Sequence, residues 1–166
     1  MIHSALNMMQ ICEGFNIIGS QAGRESDWIE VTNYKGIVFV VNAIAGVADN
    51  DITLSLHQSK DNVGNPSGAV KPLPARRWYS KSGANLSAIG KPTEHVTDNG
   101  NLVIEGSENN LAYVEVDASE LDVSAGYKFV NLRTAGGAAG KTINCIALAV
   151  NPRYMNAPEK LPAALG

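Results

Sequence analysis

Hydrophobic and polar residues alternate along much of this chain with a period of two, the period of a strand with one buried side. The clearest case is "DITLSLHQS", where Ile52, Leu54 and Leu56 fall on one side and Thr53, Ser55 and His57 on the other. On that polar side His57 has no second His or carboxylate at ligand spacing, and is expected to be an exposed strand residue. "IVFVVNAI", from Ile37 to Ile44, is an uncharged β-branched run that predicts a strand buried on both faces or nearly so. "AGVADND" between the two runs supplies turn residues, so an antiparallel hairpin is expected there. Farther on, Ala112, Val114 and Val116 share one face while Tyr113, Glu115 and Asp117 take the other. Asp117 and Glu120 then stand at capping-box spacing, which predicts a helical turn that Gly126 ends. "YKFVNLRT" resumes the alternation with Val130 and Leu132 inward. "INCIALAV" follows after a glycine-rich link, and the two read as the last hairpin. "NLVIE", residues 101–105, reads as a further strand.

Between these runs, residues 60–74 and 80–100 are rich in Asn, Gly, Pro and Ser and read as long loops. The closing stretch "NPRYMNAPEKLPAALG" holds three prolines and no periodicity, which suits an extended arm. The expected architecture is all-β: an antiparallel β-sandwich, jelly-roll-like, over residues 28–151. An N-terminal arm (1–27) and an extended C-terminal arm (152–166) flank it.

Composition adds a constraint on the surface. At 166 residues the chain is the size of one domain with a real core. Hydrophobic residues make up 45% and charged residues 17%, a low charge content for a solvated monomer, so other chains are expected to cover part of it. Net charge is −3 and the pI about 5.6, which argues against nucleic acid or an anionic membrane as a partner. The N-terminal stretch has no basic leader and no sustained apolar run, so neither a signal peptide nor a transmembrane span is expected. Folding in a cytoplasm follows, with the sequon Asn85-Leu86-Ser87 a plain loop triplet. Cys12 and Cys145 stand too far apart, and too few, for a zinc knuckle or a disulfide framework. They read as buried free thiols.

Three stretches invite a chemical reading. "AGGAAGKT", residues 135–142, has the spacing of a phosphate-binding loop with Ala in first place. Such a loop needs a helix directly after Lys-Thr, and the sequence there reads as a strand. The glycines are expected to serve a turn, with Lys141 facing solvent or a partner. Glu115, Asp117, Glu120 and Asp122 crowd into eight residues, but the calcium-loop pattern counted from Asp117 meets Leu121 at its fifth position and fails. "KPLPARRWYSK" gathers Arg76, Arg77, Trp78 and Tyr79, residue types that recur in protein interfaces and that also serve single-stranded nucleic acid. The acidity of the whole favours a protein partner. His3, His57 and His95 sit in unrelated contexts, and no nucleophile–base pair can be traced. No cofactor, metal or catalytic residue is expected.

The C-terminal third, "AYVEVDASELDVSAGYKFVNLRTA…CIALAVNPRYMNAP", resembles small virion proteins of tailed bacteriophages, of the capsid decoration (cement) type. The shared pattern is a strand, an acidic D-x-x-x-L-D (Asp117 to Asp122), Gly126, Y-x-x-V-x-L (Tyr127 to Leu132) and a last strand closing on x-P-R-Y (Asn151 to Tyr154). More loosely, "NYKGIVFVV…ITLSLHQSKD" is similar to that family's front half, and the resemblance spans residues 33–158. It implies a non-enzymatic protein of the virion, made in the host cytoplasm and set on the capsid surface. Its implied partners are the major capsid protein and copies of itself, a trimer before other homo-oligomers. Arg76, Arg77, Trp78, Tyr79, Arg153 and Tyr154 are the candidate interface residues. A tail or head–tail junction protein is the alternative. A carbohydrate-binding module stacking sugars on Trp78, Tyr79 and Trp28 ranks below both.

Overall fold

The computed structural model describes residues 9–17, 23–46, 51–63, 69–75, 77–83, 92–97, 99–136 and 142–152. The first four strands are β1 (Met9–Ile17), β2 (Ile29–Glu30), β3 (Tyr34–Ile44) and β4 (Ile52–Ser59). Then come β5 (Val70–Pro72), β6 (Arg77–Gly83), β7 (Thr93–Val96), β8 (Leu102–Ile104), β9 (Asn109–Asp117), β10 (Phe129–Gly136) and β11 (Thr142–Pro152). Single 3-10 turns occupy Ala118–Glu120 and Val123–Ala125. Among the described residues no helix is long and apolar enough to cross a membrane.

The strands form two antiparallel sheets, one ordered β1-β11-β3-β9-β6-β7 and the other β2-β10-β4-β5, with β8 also on β4. The pairing follows one rule. β1 lies against β11, β2 against β10, β3 against β9, and β4 against β8, so the front half of the chain runs antiparallel to the back half. Alternate pairs fall in opposite sheets, which is the winding of a jelly roll, and β6 and β7 widen one sheet beyond it. The core fills the space between the sheets. Ile37, Phe39, Val41, Val114, Val116, Cys145 and Ala147 face inward from the larger sheet, and Leu54, Leu56, Val130 and Leu132 meet them from the smaller.

That winding corrects both expected hairpins. β3 and β4 lie in different sheets, as do β10 and β11, because consecutive strands of a roll cross its end instead of lying side by side. Two apolar rows then face each other across the core, where each buries the other. Hydrogen bonds anchor the β3–β4 crossing to the turn before β9: Gly46 N–H donates to Gly106 O, Gly106 N–H to Asp51 Oδ1, and Ala45 N–H to Asn109 Oδ1. β3 is fully buried on one face only. On its other face Val38 and Val40 are half-buried and Ile44 is 50% exposed.

The expected loops and arms also carry structure. β5 lies within 60–74, and β6 and β7 run into 80–100, polar strands at sheet margins whose backbone pairing does not need an apolar stripe. The N-terminal arm contributes β1, paired with β11 along its length, and residues 25–27, of which Ser26 is buried, next to the buried Trp28. β11 continues to Pro152, and the remaining C-terminal arm lies outside the described residues. The capping box after β9 is as expected, but the one expected turn is two: Asp117 caps the first, which ends at Leu121, and Gly126 ends the second. Asp117 accepts from Ser119 N–H at 2.8 Å, Glu120 reaches back to Asp117 N–H at 3.1 Å, and Gly126 takes the left-handed conformation at φ 90°.

Candidate interaction surface

Of the basic and aromatic residues singled out by sequence, Arg77, Trp78 and Tyr79 fall on β6, where alternation separates them. Arg77 and Tyr79 point outward and Trp78 points into the core. Trp78 is completely buried, and its indole N–H donates to Gly100 O at 2.9 Å. Its place among the interface candidates is therefore corrected: the side chain is spent on holding β6 to the loop before β8. Trp28 is 7% exposed with the Arg133 guanidinium over its ring at 5.5 Å, so neither tryptophan offers a face on which a sugar could stack. Arg76, Lys141, Arg153 and Tyr154 lie outside the described residues.

The outward side of β6 builds one corner of the larger sheet. The Tyr79 ring stacks on Tyr113 of β9 with centroids 4.8 Å apart and planes 11° from parallel. Arg77 Nε lies 3.4 Å from Glu94 Oε1 of β7, both well exposed, so the guanidinium stays available to another anion. Beside them a recess of about 370 Å³ is lined by Arg77, Tyr79, Glu115, Asp117 and Glu120. Asp117 also borders a larger hollow of about 580 Å³, floored by Val31, Tyr34 and Leu121 and edged by Lys35 and Lys128. Ala118 and Ser119 of the 3-10 turn line the larger hollow and Glu120 the recess. Charge of both signs and a stacked tyrosine pair thus meet at this end of the sandwich.

Protonation states decide what such a corner can do. Hydrogen bonds from Ser119, its backbone N–H first and then its hydroxyl, hold the Asp117 carboxyl below the usual range. Asp122 is held low by the Lys71 ammonium at 2.6 Å and by the Ser124 hydroxyl. Carboxylates held as anions accept hydrogen bonds and pair with cations, and they make poor proton donors. Burial pushes the Cys145 thiol up to about 12, so it is no nucleophile at neutral pH. Among the described residues no group of three or more His, Cys, Asp and Glu is placed to hold a metal ion. Thr142, the last letter of the phosphate-loop spelling, opens β11, and a strand stands where that motif requires a helix.

Sequence reasoning missed a second polar group, on the outer face of the smaller sheet. Glu25 accepts from Arg133 at 2.9 Å and from Asn131 at 3.2 Å, and Asn131 stands cross-strand from His57. The exposed His57 of expectation is half-buried, with Nδ1 shielded and unpaired. Burial first, then the Arg133 charge, lowers its pKa, while Glu25 opposes the shift. The alternation of "FVNLRT" places Asn131 and Arg133 on one face, but nothing local points to His57 or Glu25 as their neighbours.

No protein-family model matches the chain, and no curated protein matches it in sequence. Among solved structures the chain is similar to the SPBc2 prophage-derived protein YomS, with 8% identity, TM-score 0.40, and coverage of 86% of this chain and 96% of that one. It is also similar to the CBM22-2 xylan-binding domain of Paenibacillus barcinonensis Xyn10C, at 9% identity and TM-score 0.37, over 78% of this chain and 71% of that one. The C-terminal CBM6 of LamC from Zobellia galactanivorans gives 11% identity and TM-score 0.32, over 85% and 87%. None of these likenesses assigns a function.

Proposed function

We propose that this chain is a non-enzymatic structural protein of a phage virion that binds the shell of the major capsid protein as an oligomer and reinforces it. The observation that carries the reading is the corner built on β6. Arg77, the Tyr79–Tyr113 stack and the carboxylates of Glu115, Asp117 and Glu120 converge there around an open recess, and the one shifted carboxyl, Asp117, is held as an anion. Such a surface recognises another protein by ion pairs and aromatic contact. The resemblance of residues 33–158 to decoration proteins supports the capsid shell as the partner, and the acidic net charge is a reason to leave nucleic acid and anionic membranes aside.

The test mixes purified protein with capsids that lack it, then sediments them. Binding is expected at a copy number in proportion to the capsid protein, with raised resistance of the shell to heat. Arg77→Glu is expected to weaken that binding at least tenfold, since it sets like charge beside Glu94 and Glu115. Failure to co-sediment, together with absence from purified virions, would sink the proposal. A copy number matching a single ring would move the protein to the tail or head–tail junction.

A further inference from the structure

Asn99-Gly100 is the one Asn-Gly pair in the chain. It stands in the loop before β8, with Asn99 exposed and its Oδ1 accepting from Asn101 N–H at 3.1 Å. That bond curls the side chain back along its own backbone, over the Gly100 nitrogen that lies between acceptor and donor. Gly100 carries no Cβ to crowd the approach, and among the described residues no hydrogen bond engages its N–H. Asn42, Asn110, Asn131 and Asn144 lie inside strands instead, and each precedes a residue with a side chain. Gly100 is also a fixed point of the fold. Its carbonyl accepts from the buried Trp78 N–H at 2.9 Å, and its Cα is pressed against Pro74.

We infer that Asn99 is a site of spontaneous covalent modification, deamidating in the folded protein, and that its isoaspartyl product loosens the Trp78 anchor. The Gly100 nitrogen gives its proton to solvent base and attacks Asn99 Cγ. The side-chain carbonyl oxygen takes on negative charge in the tetrahedral intermediate, and the Asn101 N–H already bonded to it is placed to hold that charge. The Cγ–Nδ2 bond then breaks, ammonia leaves with a proton from solvent, and a five-membered succinimide remains. Water opens the ring at either carbonyl, so an amide becomes a carboxylic acid with no change of oxidation state. Opening at the main-chain carbonyl of residue 99 routes the backbone through the side chain and lengthens it by one CH2. The loop has no room for this, since a single extra carbon on Gly100 would stand 2.4 Å from Pro74 Cα. The Gly100 carbonyl must shift, and the buried indole N–H loses its acceptor.

This inference is independent of the virion reading, which uses the corner at β6. The folded full-length protein is held at 37 °C and pH 8.5 for two weeks beside the free peptide "VTDNGNLVI" (residues 96–104). Digests are followed by mass spectrometry for the mass gain of an amide-to-acid exchange, with aspartyl and isoaspartyl products resolved by chromatography. Residue 99 is expected to convert at least tenfold faster than any other asparagine, and within tenfold of the rate in the peptide. The isoaspartyl fraction, separated from the unconverted protein, is expected to unfold at a lower urea concentration. Asn99→Gln, whose carboxamide would have to close a larger ring, is expected to keep its midpoint through the incubation. Conversion more than tenfold slower in the folded protein than in the peptide, or spread over several asparagines, would overturn the proposal. So would an isoaspartyl fraction as stable as the unconverted protein, or an equal loss of stability in Asn99→Gln.

Discussion

Gly100 and Gly126 share a left-handed backbone, at φ 78° and φ 90°, but differ in what surrounds them. At Gly126 a Cβ would meet only the Lys60 Cδ, 4.0 Å away. Replacement by Ala there costs the backbone strain alone, about 1–2 kcal/mol. At Gly100 the same Cβ would stand 2.4 Å from Pro74 Cα and 2.8 Å from Ala75 N, both backbone atoms with nowhere cheap to go. Overpacking adds about 1–3 kcal/mol. The Gly100 carbonyl is also the acceptor of the buried Trp78 N–H, so a shift of that loop loosens the tryptophan that holds β6. Gly100→Ala is therefore expected to cost about 2–5 kcal/mol, and at least 1 kcal/mol more than Gly126→Ala. Urea titrations followed by far-UV circular dichroism measure both, with the difference read at unchanged m-value. Equal midpoints for the two variants would show that the contact with Pro74 does not constrain the loop, and would refute the argument.

Three further outcomes follow from the same geometry. In a Cys12→Ser background, Cys145 should stay inert to a thiol reagent at pH 8 while the protein is folded and release one equivalent in denaturant. Prompt native reaction would contradict its burial and its raised pKa. His57 takes up its proton less readily folded than unfolded, so stability is expected to fall as the pH drops below about 6.5, and His57→Gln should flatten that slope between pH 7.5 and 5.5. Wild-type and variant midpoints that move in parallel would discount the lowered pKa that burial, and then Arg133, gives His57. Trp78→Phe keeps most of the buried area but leaves the Gly100 carbonyl without its donor, for an expected loss of about 1–3 kcal/mol, read in the same urea titration. No measurable loss would mean that this hydrogen bond does not hold β6.

Sequence reading succeeds here where the information is local. The alternation in β4 and β9 states which side chains are buried, while in β10 the polar Asn131 and Thr134 are buried too, and the capping box at Asp117 needs only neighbouring residues. Trp78 was legible by the same rule, because strict alternation across Arg77, Trp78 and Tyr79 sends the middle residue inward. Period two is silent on which strand lies alongside. β3 and β4 have the pattern of a hairpin, yet β3 pairs with β9 and β11 and β4 with β10, each dozens of residues away, and Glu25 meets Arg133 from 108 positions off. Those pairings arise from the closing of the roll, a property of the whole chain.

The spelling "AGGAAGKT" shows why the whole chain must be consulted. A phosphate loop works because one strand of a parallel sheet feeds directly into a helix whose N-terminal amides face the anion. In this protein Gly136 ends a strand of the smaller sheet and Thr142 begins one of the larger. Sheets of a sandwich lie about 10 Å apart, and a five-residue link can reach about 17 Å when extended. Neither sheet is parallel, and no helix follows the lysine, so the anion-binding geometry has no parts to be made from. What the crossing does instead is place β11 between β1 and β3 of the larger sheet. The uncharged outward rows of β3 and β11 come together there.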